Sequence, residues 1–303
     1  MRDFLKNYNF LPAPMEGVMR PALIQVCNDL RLTGVWITPF FRVSQDVPKA
    51  KELKKFIAPF QAPHVKVIVQ LMGNDAGKLA ETVLRALDSG ADGIDLNCGC
   101  PSNQVVRHGA GSGMWRNAEN TARVIEAIRK SIGTAFFSVK TRLGFEAFEE
   151  VPKVLKLWSN AEKVDMFTLH YRTCREGYLP VSGREERLTE AKQYLAGDPL
   201  IFGNGNLANI EETQELCKRV GLHGAMIGRG FWRDPFILSR FFEPERAREA
   251  PDPTSAQKLL WQHLAQLPYS KNWSIGSAIE LASLILGPQS SEAKELKLKA
   301  AQK

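Results

Sequence analysis

The stretch Asp92-Gly93-Ile94-Asp95-Leu96-Asn97-Cys98-Gly99-Cys100-Pro101-Ser102 decides how this chain folds. Its first half is short, apolar and β-prone, and reads as a buried strand. Its second half ends that strand in a tight Gly/Pro turn that displays two cysteines. Strand ends are a common place for chemistry in α/β folds, because the loops that follow them build the site. A zinc site would need a second Cys or His pair at ligand spacing, and Cys27, Cys174 and Cys217 are scattered singly. The C-x-C spacing also lacks the C-x-x-C form of thioredoxin-like redox sites. The alternative is a pair of small buried residues at an ordinary turn.

Working outward, short apolar runs alternate with amphipathic stretches eight times. The runs are Phe10–Met15, Gly34–Thr38, Val65–Leu71, Gly93–Asn97, Ala135–Lys140, Asp165–His170, Leu200–Asn204 and Gly224–Gly228. Helical spacing marks Asp75–Ser89, Ala118–Ser131, Val151–Ala161, Glu186–Leu195 and Ile210–Val220. Continuous apolar runs suit parallel strands covered on both faces. Eight such units in about 240 residues match a (β/α)8 TIM barrel. A doubly wound sheet is second choice, since no G-x-G-x-x-G loop follows the first run. The reading divides the chain into a barrel over 1–242, a Pro- and charge-rich linker over 243–253 and a small helical domain over 254–303. Helices are expected there at Ser255–Leu267, Ile275–Leu286 and Glu292–Gln302.

The chain has 303 residues, 44% of them hydrophobic, enough for a large core. No run approaches the ~18 apolar residues of a membrane span, and the first residues lack a signal-peptide pattern. Five cysteines, an odd number, argue against a disulfide framework and for a reducing cytoplasm. Forty Lys and Arg against 33 Asp and Glu give a net charge of +7. Such an excess is compatible with a polyanionic partner without requiring one.

The strand ends collect polar and permissive residues: Pro14-Met15-Glu16-Gly17, Gln70, Asn97 to Cys100, Lys140, His170, Asn204-Gly205-Asn206 and Gly228-Arg229-Gly230. The last two tips follow strands seven and eight, where barrels commonly hold phosphate. Glycines let backbone N–H groups approach an anion, and Arg229 adds a forked cation. Lys140 and Gln70 suit a flavin: a cation can stabilise a reduced ring, and an amide can pair with its pyrimidine edge. His170 suits a general acid, a phosphate ligand or a satisfied core residue.

Taken together, Ala13-Pro14-Met15-Glu16-Gly17-Val18, Val69-Gln70-Leu71, Asp95 to Ser102, Val139-Lys140-Thr141-Arg142-Leu143-Gly144, His170-Tyr171-Arg172-Thr173, Gly203-Asn204-Gly205 and Met226 to Gly230 resemble the tRNA-dihydrouridine synthase family, in family order over roughly the first 240 residues. Within it the chain most resembles the bacterial branch that acts on uridine 16. The resemblance implies an FMN-dependent, NADPH-driven reduction of the C5–C6 double bond of a uridine in tRNA, by a monomer. Carried over, Pro14, Met15 and Glu16 would line the flavin, and Gln70 and Lys140 would contact its ring. His170, Asn204, Gly205, Asn206, Gly228 and Arg229 would complete the cofactor site, and Asn97 and Arg172 would meet the substrate. Cys100 matches the catalytic acid; Cys98 stands where other branches carry an apolar residue.

The chemistry agrees. The reduction needs a hydride at C6, from flavin N5, and a proton at C5 from the opposite face of the base. A thiol, with an ordinary pKa of about 8.5, stays mostly protonated near neutrality. The Gly-rich segment Asn103–Trp115 is expected to close over the base, which must leave its stack. Departures from the family pattern are Pro39 in place of Glu, Tyr171 in place of Gly, and a C-terminal helix without the usual Arg/Lys and Trp. Those departures keep two other readings open. One is an FMN-dependent reductase of a free pyrimidine or small enone; the other is an RNA-binding protein that has lost catalysis.

Overall fold

Pleat alternation inside each strand positions everything that matters here, because successive side chains point to opposite faces. The computed structural model describes residues 1–243, 245, 251–268 and 273–302. Its strands are β1 (Phe10–Pro12), β2 (Val35–Ile37), β3 (Phe41–Arg42), β4 (Lys66–Met72), β5 (Gly93–Cys98), β6 (Phe136–Arg142), β7 (Met166–His170), β8 (Leu200–Asn204) and β9 (Gly224–Ile227). Among the described residues the strand pairings are parallel, in the order β1-β9-β8-β7-β6-β5-β4-β2, with β3 beside the tip of β4. Contact between β1 and β2 closes the remaining seam. The architecture is the (β/α)8 barrel, with helices between successive strands and further helices at the C-terminal end.

Helix Ala76–Asp88 shows why the outer ring forms. Asp75 caps it by accepting from the Lys78 N–H at 2.9 Å, and Leu79, Val83 and Ala86 form its buried stripe. Across the barrel wall, Val67, Val69, Leu71, Ile94, Leu96, Phe137, Val139, Phe167 and Leu169 belong to the core between strands and helices. The alternate residues Leu11, Ile68, Phe136, Met166, Leu200, Phe202 and Met226 fill the barrel's interior floor. Moving up two residues at a time on the interior face replaces that floor with Gln70, Asp95, Ser138 and Thr168, all buried. Two more residues up come Asn97, Lys140, His170 and Asn204. Apolar floor, polar waist and charged mouth thus follow from one parity rule applied to strands that read as continuously apolar.

Three features differ from expectation. The pair Phe41–Arg42 forms an extra short strand, too brief to give a periodic signal. The first strand stops at Pro12, and Pro14 to Gly17 form the loop above it. Within Asn103–Trp115, Gly111 to Trp115 are buried, with the Trp115 indole donating to Thr141 Oγ1 at 2.9 Å. Met114 and Trp115 are buried against the barrel wall, whereas Asn103–Arg107 forms a short, largely exposed helix. Of the C-terminal helices, Pro253–Ala265 packs on helices Pro21–Asp29 and Arg229–Arg233, Ile275–Ile285 on Arg229–Arg233, and Ser291–Ala301 on Ile275–Ile285. Arg20 also pairs with Glu280 at 2.7 Å. Most of the linker expected over 243–253 lies outside the described residues.

Candidate active site at the barrel mouth

Above the C-terminal ends of the strands lies a cavity of about 440 Å³. Its lining includes every residue assigned a site role from sequence: Pro14, Met15, Glu16, Gln70, Asn97, Cys100, Lys140, His170, Arg172, Asn204, Gly205, Asn206, Gly228 and Arg229. Pro39, Phe40, Arg142, Tyr178 and Leu207 also line it. Arg142 had a legible signal, since it lies two residues beyond Lys140 and so shares its face. Tyr178 had none: it arrives on the loop after β7 and stands 72% exposed at the rim.

Cys100 is held by its backbone. Asn97 Oδ1 accepts from the N–H groups of Gly99 and Cys100 at 3.0 and 2.9 Å, and the Cys100 carbonyl accepts from Ser112 N–H at 3.0 Å. Cys98 faces the other side of β5. It is fully buried against Met114, and burial drives its thiol well above the ordinary range. Arg142 braces the same turn: Nε donates to Gly99 O at 3.0 Å, while Nη1 donates to Thr173 O and Gly177 O. Its guanidinium carbon lies 5.2 Å from the Tyr178 ring centre.

Lys140 donates from Nζ to Asn204 Oδ1 at 3.0 Å. Burial, then the nearby Arg142 guanidinium, lower its pKa to about 8, partly offset by Asp95 and Cys100. Burial and the surrounding cations Arg142, Lys140, Arg172 and Arg229 push the His170 pKa well below its ordinary value. The Arg172 N–H points at His170 Nδ1 (3.4 Å), which leaves Nε2 as the donor. Tyr171, in place of a common Gly, stacks parallel on His170 at 5.7 Å. Gly205 turns the tip after β8 with φ +110°, and a Cβ there would meet the Tyr171 ring at 2.8 Å. Beyond it Arg229 Nη2 donates to Asn206 Oδ1 at 3.2 Å.

Beneath the mouth, Asp95 Oδ2 accepts from Gln70 Nε2 at 2.8 Å and Oδ1 accepts from Ser138 Oγ at 2.5 Å. Burial raises its pKa to about 6 despite those hydrogen bonds and the Lys140 charge. Glu16 is half-buried, and desolvation raises its pKa against the pull of Arg42 and Arg20. The lining thus sets Lys140, Arg142, Arg172 and Arg229 against one carboxylate, Glu16, so its electrostatics favour an anion. Pro14, Met15 and Phe40 offer that anion an apolar wall. Among the described residues no cluster of three or more His, Cys, Asp or Glu is placed to hold a metal, and no helix is long and apolar enough to cross a membrane.

Comparison with known proteins fits this geometry. The tRNA-dihydrouridine(16) synthase of Haemophilus influenzae is 30% identical over 226 residues, covering 72% of this chain and 71% of that protein. The protein of the same name from Escherichia coli O157:H7 is 30% identical over 242 residues, covering 77% and 76%. The old yellow enzyme from Trypanosoma cruzi superposes with a TM-score of 0.54 at 9% identity, over 80% of this chain and 89% of that one, a likeness of fold alone. The family profile described as dihydrouridine synthase (Dus) matches residues 11–282, nearly the whole barrel and two of the C-terminal helices. The chain therefore belongs to the dihydrouridine synthase family, and is an oxidoreductase of that family.

Proposed function

We propose that this chain reduces the C5–C6 double bond of a uridine in tRNA to 5,6-dihydrouridine, with FMN in the mouth cavity, NADPH as electron source and Cys100 as proton donor. One observation carries the reading: the scattered strand-end residues converge on one cationic cavity whose wall includes a half-buried thiol. The residues present suit FMN. Arg229, Asn206 and Gly205 form a cationic, glycine-permitted end for the phosphate, while Pro14 and Met15 offer a wall for the ring. Lys140 would stabilise negative charge on a reduced ring, and His170 Nε2 would offer it a neutral donor.

When bound, FMN supplies the hydride that adds at C6 of the base. The chain supplies the rest. Asn97 fixes the turn that presents Cys100, and the thiol gives its proton to C5. The thiolate left behind sits in the field of Lys140, whose charge is coupled to Cys100. Arg172 and Asn97 are assigned to the base. The packed Gly111–Trp115 segment backs the Cys100 turn, Ser112 N–H donating to the Cys100 carbonyl at 3.0 Å.

The relatives named for position 16 support the same uridine here. A bacterial-type cytoplasmic monomer, with the helices over 254–303 helping to orient tRNA, completes the reading. Purified protein, supplied with FMN and NADPH, is tested on unmodified tRNA and on free uridine. Dihydrouridine formed in tRNA alone supports the proposal. Turnover of free uridine with none in tRNA replaces it with a small-molecule reductase, and protein that takes up no FMN overturns it.

A further inference from the structure

Side-chain amides have two ends of nearly the same shape, and only their hydrogen-bond partners decide which way they face. Beneath Cys100 two such amides lie in series between the Asp95 carboxyl, an acceptor when ionised, and two backbone N–H donors. At the lower end the Asp95 carboxylate accepts from Gln70 Nε2 at 2.8 Å. Gln70 Oε1 must then face away, and accepts from Asn97 Nδ2 at 2.8 Å. Asn97 Oδ1 must in turn face the turn, where it accepts the N–H groups of Gly99 and Cys100. Asp95 is fully buried, and Gln70 and Asn97 expose only 1% and 8% of their surface at the cavity floor, so water offers little substitute partnering.

We infer that Asp95 is a positioning residue: its carboxylate fixes the direction of the Gln70 and Asn97 amides and thereby holds the turn that presents Cys100. At pH 7, where the carboxylate form prevails, an acceptor at one end and backbone donors at the other leave a single workable polarity. Reversing either amide sets two donors face to face, a cost the buried site cannot relieve. Ser138 Oγ and Thr38 Oγ1 steady the chain from the sides, the first on Asp95 Oδ1 and the second by accepting from Gln70 N–H at 3.0 Å. The inference deepens the proposed function, since it rests on Gln70 and Cys100 being the working groups.

The test is alkylation of the flavin-free protein by iodoacetamide, read by peptide mass spectrometry as the Cys100 rate divided by the Cys174 rate. Cys174 is the other half-buried cysteine and serves as the internal control. Asp95→Ala removes the acceptor. Asp95→Asn keeps an oxygen for Gln70 and can donate to Ser138 Oγ, so the polarity survives. Ser138→Ala removes a bond to Asp95 without touching the chain. The ratio should rise by about fivefold or more in Asp95→Ala and stay within about twofold of wild type in the other two. An unchanged ratio in Asp95→Ala, or an equal rise in all three, overturns the inference. Should Asp95→Ala fail to fold by circular dichroism, Gln70→Leu breaks the same chain one link higher. It must raise the ratio too, and no rise there is equally fatal. The assay needs neither flavin nor RNA, so its failure leaves Cys100 as proton donor to be judged separately by product formation.

Discussion

Lys140→Met separates the requirements of function from those of folding. The side chain is half-buried at the mouth, and its pKa falls from 10.5 to about 8. Holding the ammonium charged in the ligand-free protein at pH 7 therefore costs on the order of 3 kcal/mol. Methionine has similar length and no charge, so the substitution removes that cost. It also removes the bond to Asn204 Oδ1, a loss of about 1–3 kcal/mol for a buried acceptor. The variant should be more stable than wild type at pH 7, by about 1 kcal/mol. The sign with pH follows from the lowered pKa. The penalty is complete below pH 8 and fades as pH rises from 8 towards 10.5, because there the unfolded lysine holds its proton and the folded one does not. The variant's advantage should accordingly shrink by about 2 kcal/mol between pH 7 and 9.5, and change sign. Urea unfolding of both flavin-free proteins at the two pH values measures it. FMN retention should fall in the same variant, because the cation that faces the anionic ligand is gone. A variant clearly less stable at pH 7, or a difference that does not move with pH, refutes the reasoning.

Cys100→Ala should keep bound FMN yet lower the rate of product formation by at least about 100-fold, as loss of a proton donor does. Cys98→Ala, on the other face of β5, should cost about 1 kcal/mol of stability and only a few-fold in rate; equal rate losses would overturn the assignment. Gly111 has φ +55°, and a Cβ there would lie 2.8 Å from the Cys100 carbonyl, whereas Gly177 has the same φ with open space around it. Gly111→Ala should therefore destabilise by about 2 kcal/mol more than Gly177→Ala and lose product, as thermal melts and turnover would show. KM for tRNA should rise steeply with salt, since phosphate contacts release counterions; a KM that ignores salt contradicts phosphate-driven docking.

The barrel was legible because its strands are short apolar runs ending in polar tips, and those tips are the mouth. The parity within them was harder to see. Asp95 sits between Ile94 and Leu96 and reads as one polar residue in a buried strand; only closure of the barrel shows that it faces Gln70 and Ser138. Cys98 and Cys100 share a C-x-C turn and are told apart in the sequence by resemblance alone; the pleat gives the physical reason, sending the first outward against Met114. The Gly-rich segment reads as a lid because glycine permits motion. Met114 and Trp115 instead use that freedom to bury themselves, which is a matter of tertiary packing. Arg142 was visible in its motif, but its grip on the Gly99, Thr173 and Gly177 carbonyls depends on loops far apart in sequence. Tyr178 arrives from such a loop with no local signature.

Position-by-position mass mapping of tRNA from cells lacking this gene, complemented by wild type or by the Cys100→Ala variant, shows which uridine this chain reduces and whether Cys100 is needed. A D-loop uridine, position 16, should stay unreduced in the deletion, regain its two hydrogens with the wild-type gene, and fail to do so with the variant. Dihydrouridine unchanged at every position in the deletion strain, or restored in full by Cys100→Ala, would contradict the proposed function.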